Sequence, residues 1–139
     1  MVVGAVHHIE LWVPSLDRAI ESFGWVLPAL GYDEFQNWDN GRSWSVGGTY
    51  VVVEESPAIV GREHDRHRPG VNHLAFHAGS ADDVDRLVGE APRHGWQLLF
   101  ADRHPHAGGP GHYAAFLENQ DGFEIELVAD SPRETPTAS

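Results

Sequence analysis

The sequence predicts an α+β fold of two βαβββ modules, whose strands form a curled mixed sheet around a concave cavity with the helices outside. The chain has 139 residues, the length of a single domain. A shift of about 65 residues lays the segment His8-Ile9-Glu10-Leu11 on His73-Leu74-Ala75-Phe76. Both halves also show the same order of predicted elements. We therefore expect one domain over residues 1–130, with modules at about 5–60 and 70–129.

The first module begins with a strand at residues 6–13, where apolar and polar side chains alternate. Ser15 is placed to cap a helix whose apolar residues recur at helical spacing, and Gly31 is placed to end it. Asn-Gly and Gly-Gly pairs then predict turns. The predicted strands between these turns lie at 32–37, 42–47 and 49–55.

The second module repeats this order, with a strand at 71–78, a helix capped by Ser80 and ended by Gly95, and three more strands. These last strands are predicted at 96–101, 112–117 and 123–129. The polar segment between the modules, residues 61–70, is most simply a linker without chemistry of its own. The Pro-, Ser- and Thr-rich segment 131–139 is expected to be a flexible tail.

Composition excludes several classes of chemistry. The chain has no cysteine and no lysine, which excludes disulfides, thiolate nucleophiles, Schiff-base catalysis and a P-loop. Its net charge of −12 disfavours nucleic acid and anionic membranes as partners. The sequence has neither a signal-peptide pattern nor a long apolar run, so we expect a cytoplasmic protein whose partner is a small molecule.

Strand alternation sorts the side chains of three predicted strands onto two faces. The face predicted to pack on the helices carries Ile9, Leu11, Leu74, Phe76, Ile125 and Leu127. The opposite face carries His8, Glu10, Trp12, His73, His77, Glu124 and Glu126. A solvated sheet face is one explanation of this polarity. The other is a site with two histidines and one carboxylate, His8, His73 and Glu126, which suits divalent Fe, Mn, Co, Ni or Zn.

The segments around these three residues resemble the vicinal oxygen chelate superfamily, which includes glyoxalase I, fosfomycin and bleomycin resistance proteins and extradiol dioxygenases. The resemblance covers about residues 5–129 and is carried by VHHIELWVPSLDRAIESF, VLPALGY, GVNHLAFHAGSADDVDRL and LENQDGFEIELV. It implies that His8, His73 and Glu126 are the metal ligands. The repeat and the two-faced strands also lead us to expect a homodimer, and the sequence leaves open whether the cavity forms within one chain or across the dimer.

Two positions depart from the family pattern. The family helix usually carries a Phe-Tyr pair, whereas Phe23 is followed here by Gly24. Some members place a fourth ligand on the last strand of the first module. Matching Tyr50 to Phe123 sets Val53 opposite Glu126, which leaves Glu55, two residues further on, as the candidate fourth ligand.

The resemblance allows two functions. The first is a metal-dependent lyase or dioxygenase acting on a small oxygen-chelating substrate, with Glu126, His77 and Tyr113 as catalytic candidates. The second is a metal-free protein that sequesters an antibiotic, as bleomycin resistance proteins do. The residues predicted to contact substrate are Glu10, Trp12, Trp38, Trp44 and His112. For the two hairpin tryptophans, core packing is the alternative role, and for the His112 loop a solvent-exposed position is the alternative.

Overall fold

The computed structural model describes residues 2–130, and the predicted tail at 131–139 lies outside them. The chain divides into two compact units, unit 1 from Met1 to His64 and unit 2 from Asp65 to Ser139. The boundary falls inside the predicted linker. Each unit contains its own helix and its own four-stranded mixed sheet. This confirms the α+β fold class and the two βαβββ modules.

In unit 1, strand β1 (His8–Trp12) is followed by helix α1 (Leu16–Ala29) and by strands β2 (Asp33–Trp38), β3 (Gly41–Val46) and β4 (Thr49–Glu54). The strand order is β1-β4-β3-β2, and only the β1–β4 pair of this sheet is parallel. The Ser15 side chain accepts a hydrogen bond from Arg18 N and caps α1, as predicted.

In unit 2, strand β5 (His73–His77) is followed by helix α2 (Ala81–Glu90), a 3₁₀ turn (Ala91–His94), and strands β6 (Trp96–Leu99), β7 (Ala114–Asn119) and β8 (Glu124–Val128). The order β5-β8-β7-β6 repeats that of unit 1, with β5 and β8 parallel. Ser80 and Asp83 form a reciprocal capping box at the start of α2. Gly95 has φ +82° and ends the 3₁₀ turn.

Each helix buries its apolar side against its own unit. Val84 and Leu87 of α2 are buried, and so are Ile125 and Leu127 of β8, which are fully inaccessible to solvent. The predicted separation of faces therefore holds for β8. Across residues 2–130, neither helix has the length and apolar character that crossing a lipid bilayer requires.

Gly24 makes room for a tryptophan in the core of unit 1. The indole of Trp44 is only 3% exposed, and a Cβ placed on Gly24 would lie 3.4 Å from its Cζ2 atom. A Cβ at position 24 would therefore already be in van der Waals contact with this ring. The Phe-Gly departure from the family pattern is thus matched by a large side chain on β3.

Candidate functional site

A buried carboxylate with two imidazole partners lies at the centre of β8. Glu126 is 7% exposed. Its Oε1 atom lies 3.0 Å from Nε2 of His73 on β5, and its Oε2 atom lies 2.5 Å from Nε2 of His112. Its neighbours along the strand, Ile125 and Leu127, are buried on the opposite face. Strand alternation therefore directs Glu126 away from the helix, toward the face that carries His73.

The His73 ring is restrained at both nitrogens and on one edge. Its Nδ1 atom lies 2.7 Å from Oδ1 of Asn72, and the Asn72 amide nitrogen donates to the backbone carbonyl of Arg66 over 3.1 Å. The Phe116 ring packs against His73 in an edge-to-face arrangement with centroids 5.7 Å apart. A histidine held in this way loses little further rotational freedom when its Nε2 atom binds a ligand.

Arg66 links the segment before β5 to the same face of the sheet. Its side chain is 12% exposed, with Nη1 2.7 Å from Glu118 of β7 and Nε 2.8 Å from Glu124 of β8. No local sequence pattern indicates this contact, because Arg66 stands among polar residues in a segment expected to be a linker without chemistry. The positive charge of Arg66 balances the buried carboxylate of Glu124.

His112 reaches Glu126 from a loop built of successive turns. His112 N donates to Gly109 O, and His106 Nδ1 lies 3.3 Å from the His112 carbonyl. Gly108 packs beneath the His112 ring, where a Cβ would approach to 2.7 Å of the imidazole. A substituent at position 108 would therefore displace the ring that contacts Glu126.

His8, the remaining predicted ligand, belongs to unit 1. Its ring stacks on Tyr50 of β4 with centroids 4.7 Å apart, and its Nδ1 atom lies 2.9 Å from Nδ1 of His7. A pocket of about 310 Å³ opens on this face. Its lining comprises His8, Glu10, Gln36, Asn37, Trp38, Tyr50 and Val52. The predicted substrate contacts Glu10 and Trp38 thus lie together with His8 on one surface of unit 1.

The two other predicted tryptophan contacts differ in their surroundings. Trp12 is exposed and donates from Nε1 to Oε2 of Glu10 over 2.7 Å, which places it beside the pocket residue Glu10. Trp44 is buried in the core against α1. The buried position of Trp44 agrees with core packing, which was the alternative to a substrate contact for this residue.

His77 and Tyr113, two predicted catalytic residues, have other partners. The His77 side chain is 87% exposed, and its Nδ1 atom lies 2.9 Å from Asp130. The Tyr113 hydroxyl donates to Asp85 of α2 over 2.5 Å. This hydrogen bond raises the pKa of Tyr113 above its ordinary value, with burial as a smaller cause. Tyr113 is therefore directed to α2, whereas its neighbour His112 is directed to Glu126.

The strand register corrects the alignment used to propose Glu55. His8 pairs with Tyr50 as His73 pairs with Glu124, so the unit 1 counterpart of Glu126 is Val52 and not Val53. Glu55 lies beyond β4, and its Oε1 atom accepts a hydrogen bond from Leu16 N over 2.8 Å. Its carboxylate therefore stabilises the first turn of α1.

Comparison with known proteins identifies the family. Residues 7–116 match the family model described as the Glyoxalase/Bleomycin resistance protein/Dioxygenase superfamily. The chain belongs to this superfamily. The vicinal oxygen chelate superfamily expected from the quoted segments is thereby confirmed.

Similar proteins can be aligned with this superfamily member along nearly the whole chain. An uncharacterized Bacillus subtilis protein, YqjT, is 45% identical over 91% of this chain and 99% of its own length. The crystal structure of a glyoxalase candidate from Bacillus halodurans has a TM-score of 0.87 at 40% identity, covering 92% of this chain and 97% of that one. The fosfomycin resistance protein FosX from Listeria monocytogenes, solved with Mn(II) and sulfate, shares the fold. Its TM-score is 0.62 at 16% identity, covering 96% of this chain and 98% of FosX.

The donors of unit 2 fit part of the metal site that the superfamily implies. His73 Nε2 and Glu126 Oε1, 3.0 Å apart, are the nitrogen and oxygen donors of unit 2 that would hold a divalent metal. No group of three or more His, Cys, Asp or Glu side chains within residues 2–130 is arranged so that it could hold a metal ion.

Proposed function

We propose that this superfamily member is a divalent-metal-dependent enzyme acting on a small oxygen-chelating substrate, with His8, His73 and Glu126 as the metal ligands. The observation that carries the proposal is the contact between the buried carboxylate of Glu126 and Nε2 of His73. A carboxylate removed from water needs compensating partners, and an imidazole nitrogen facing it creates the nitrogen and oxygen donor set that transition metals prefer.

The metal proposed here is one of Zn, Fe, Mn, Ni or Co. FosX was solved with Mn(II), which supports a divalent ion in this fold. When bound, such an ion would polarise an oxygen of the substrate and stabilise negative charge on it. His73 and Glu126 would hold the ion in unit 2, and His8 is the ligand proposed from unit 1.

His112 is the group best placed to assist Glu126. It contacts Oε2, so the other carboxylate oxygen, Oε1, stays directed toward His73. This position also suits transfer of a proton near the substrate, a role proposed in addition to substrate binding. His77 and Tyr113 remain proposed acid–base groups, although Tyr113 would first have to leave Asp85.

The unit 1 pocket is the proposed surface for the body of the substrate. Trp38 and Tyr50 supply aromatic area there, and Glu10 supplies a carboxylate. Aromatic rings give large contact areas at a small cost in conformational entropy. The homodimer and the cytoplasmic location stay predictions of the sequence.

Metal uptake tests the proposal. We expect the untagged protein to bind about one Zn, Mn, Fe, Ni or Co ion per chain when each is offered in turn, as measured by plasma mass spectrometry after dialysis. Glu126→Gln keeps the volume and removes the charge, so the metal affinity should fall by about 100-fold or more, beyond the effect of losing an outer partner. Glu10→Gln is the matched control and should retain the metal.

Two results would contradict this function. The first is a wild-type protein that takes up none of the five metals. The second is a Glu126→Gln variant that binds metal as tightly as the parent. If the metal-free protein instead bound an aromatic antibiotic with an affinity unaffected by Glu126→Gln, sequestration would replace the enzyme.

A further inference from the structure

Asn72 connects the segment that precedes β5 to the imidazole of His73. The Asn72 side chain lies between two fixed groups, the backbone carbonyl of Arg66 and Nδ1 of His73. The carbonyl group can only accept a hydrogen bond, so the amide nitrogen of Asn72 must face it. The amide oxygen of Asn72 therefore faces His73.

This orientation fixes the hydrogen on one nitrogen of His73. An amide oxygen is only an acceptor, so Nδ1 of His73 must carry the hydrogen that bridges the 2.7 Å to Asn72. The other ring nitrogen, Nε2, is the one 3.0 Å from Oε1 of Glu126. The Glu126 carboxylate opposite Nε2 is also only an acceptor, so a hydrogen bridges that contact, and a metal would replace this hydrogen at Nε2 while Nδ1 keeps its own.

We infer that Asn72 is a positioning residue, which selects the Nδ1–H tautomer of His73 and holds its ring so that Nε2 is presented to the metal. The inference rests on the proposed function. Outer hydrogen-bond partners of a ligating histidine set its tautomer and orientation, and their loss commonly weakens metal affinity by about 10- to 100-fold.

Arg66 holds Asn72 in place from the opposite side. Its guanidinium is fixed by Glu118 and Glu124, which immobilises the backbone carbonyl that receives the Asn72 amide. Glu124 itself does not substitute for Asn72, since its Oε2 atom is 3.8 Å from His73 Nδ1, beyond hydrogen-bond distance. Asn72 is therefore the acceptor that His73 uses.

The test compares Zn(II) affinity and the His73 Nδ1–H signal in three variants. Asn72→Leu keeps the volume without an acceptor, Asn72→Asp keeps an acceptor, and Gln97→Leu removes an exposed amide on β6 as a matched control. Affinity is measured by competition with a chelating dye. The Nδ1–H resonance of Zn-loaded, ¹⁵N-histidine-labelled protein is assigned by its absence from His73→Gln. If Asn72→Leu fails to fold, Asn72→Ala takes its place.

We expect Asn72→Leu to bind Zn(II) about 10- to 100-fold more weakly and to lose the Nδ1–H resonance through exchange with water. Asn72→Asp and Gln97→Leu should keep the resonance and stay within about threefold of wild-type affinity. Unchanged affinity and resonance in Asn72→Leu would overturn this inference and leave the metal enzyme standing. Equal weakening in Asn72→Asp would also overturn it, since it would indicate a structural defect. A wild-type protein that binds no Zn(II) or other offered metal would overturn the proposed function itself.

Discussion

Units 1 and 2 share a strand order and a register but differ in the chemistry of equivalent positions. His8 pairs with Tyr50 in unit 1, and His73 pairs with Glu124 in unit 2. Two positions further along β4 and β8, Val52 corresponds to Glu126. The same backbone therefore presents an aromatic and an aliphatic side chain in one unit and two carboxylates in the other.

The carboxylates of unit 2 depend on partners that come from outside its strands. Glu124 is bound by Arg66 from the segment before β5, and Glu126 is bound by His112 from the loop before β7. In unit 1, the rings of His8 and Tyr50 stack on each other. A repeated sheet can therefore bury carboxylates in one unit when the connecting segments of that unit supply opposite charge or hydrogen bonds.

Removing the cation of unit 2 should have the largest effect on stability. Arg66→Met leaves Glu124 buried without its partner, so the free energy of unfolding should fall by about 3 kcal/mol. Arg42→Met is the matched variant in unit 1, where Arg42 donates to the backbone carbonyls of Trp38 and Gly41. It should cost about 1 kcal/mol, as measured by urea denaturation.

A double variant distinguishes the cost of an unpaired buried charge from the cost of lost side-chain packing at Arg66. Arg66→Met with Glu124→Gln removes both charges and should recover about 1 kcal/mol or more relative to Arg66→Met alone. Equal losses in Arg66→Met and Arg42→Met would contradict the assigned difference between the units.

The two units also differ in the caps of their helices, and this difference should have a smaller effect on stability. Ser80→Ala should cost about 1–2 kcal/mol, since it breaks a reciprocal capping box, and Ser15→Ala about 0.5–1 kcal/mol. The hydrogen bond from Ser80 N lowers the pKa of Asp83. The contribution of Asp83 is therefore complete above its ordinary pKa of about 3.9 and is lost as the pH falls through the lowered value in the folded protein. Urea denaturation at pH 7 and at pH 3 measures both effects, and a larger loss for Ser15→Ala would contradict them.

The smallest expected effect is a titration shift at Tyr113. Its hydrogen bond to Asp85 raises its pKa, so the resulting stabilisation is complete below the ordinary tyrosine pKa of about 10 and is lost as the pH rises through the raised value. Asp85→Asn should move the phenolate absorbance of Tyr113 to lower pH. The Tyr113→Phe spectrum identifies the signal, and an unchanged midpoint would contradict the Asp85 contact.

The sequence predicted the repeated elements because their signals are local. Caps such as Ser15 and Ser80, and the alternation in β1, depend on neighbouring residues alone. The register of β4 was misjudged by one residue for an equally local reason. Val51, Val52 and Val53 are all buried, so the run contains no polar side chain that reveals which face each residue occupies.

The site was predictable only in part. His73 and Glu126 were found from strand alternation and their quoted motifs, and the structure brings them together within unit 2. Arg66 and Asn72 were not identified as functional candidates. The Arg66–Glu118 contact joins segments far apart in sequence, and a polar stretch gives the same local pattern whether it is solvated or folded onto a sheet.

The parallel pairing of β5 with β8 joins two strands that lie far apart in the sequence. A tight turn closed by Asn119 joins β7 to β8, so these strands can pair as a hairpin. Strand β5 reaches β8 only by closing a loop of about 50 residues, which costs more conformational entropy. We therefore expect His73 to join Glu126 late in folding. An ion bound by both residues would hold β5 on β8. It would therefore act mainly by slowing the dissociation of β5 from the sheet.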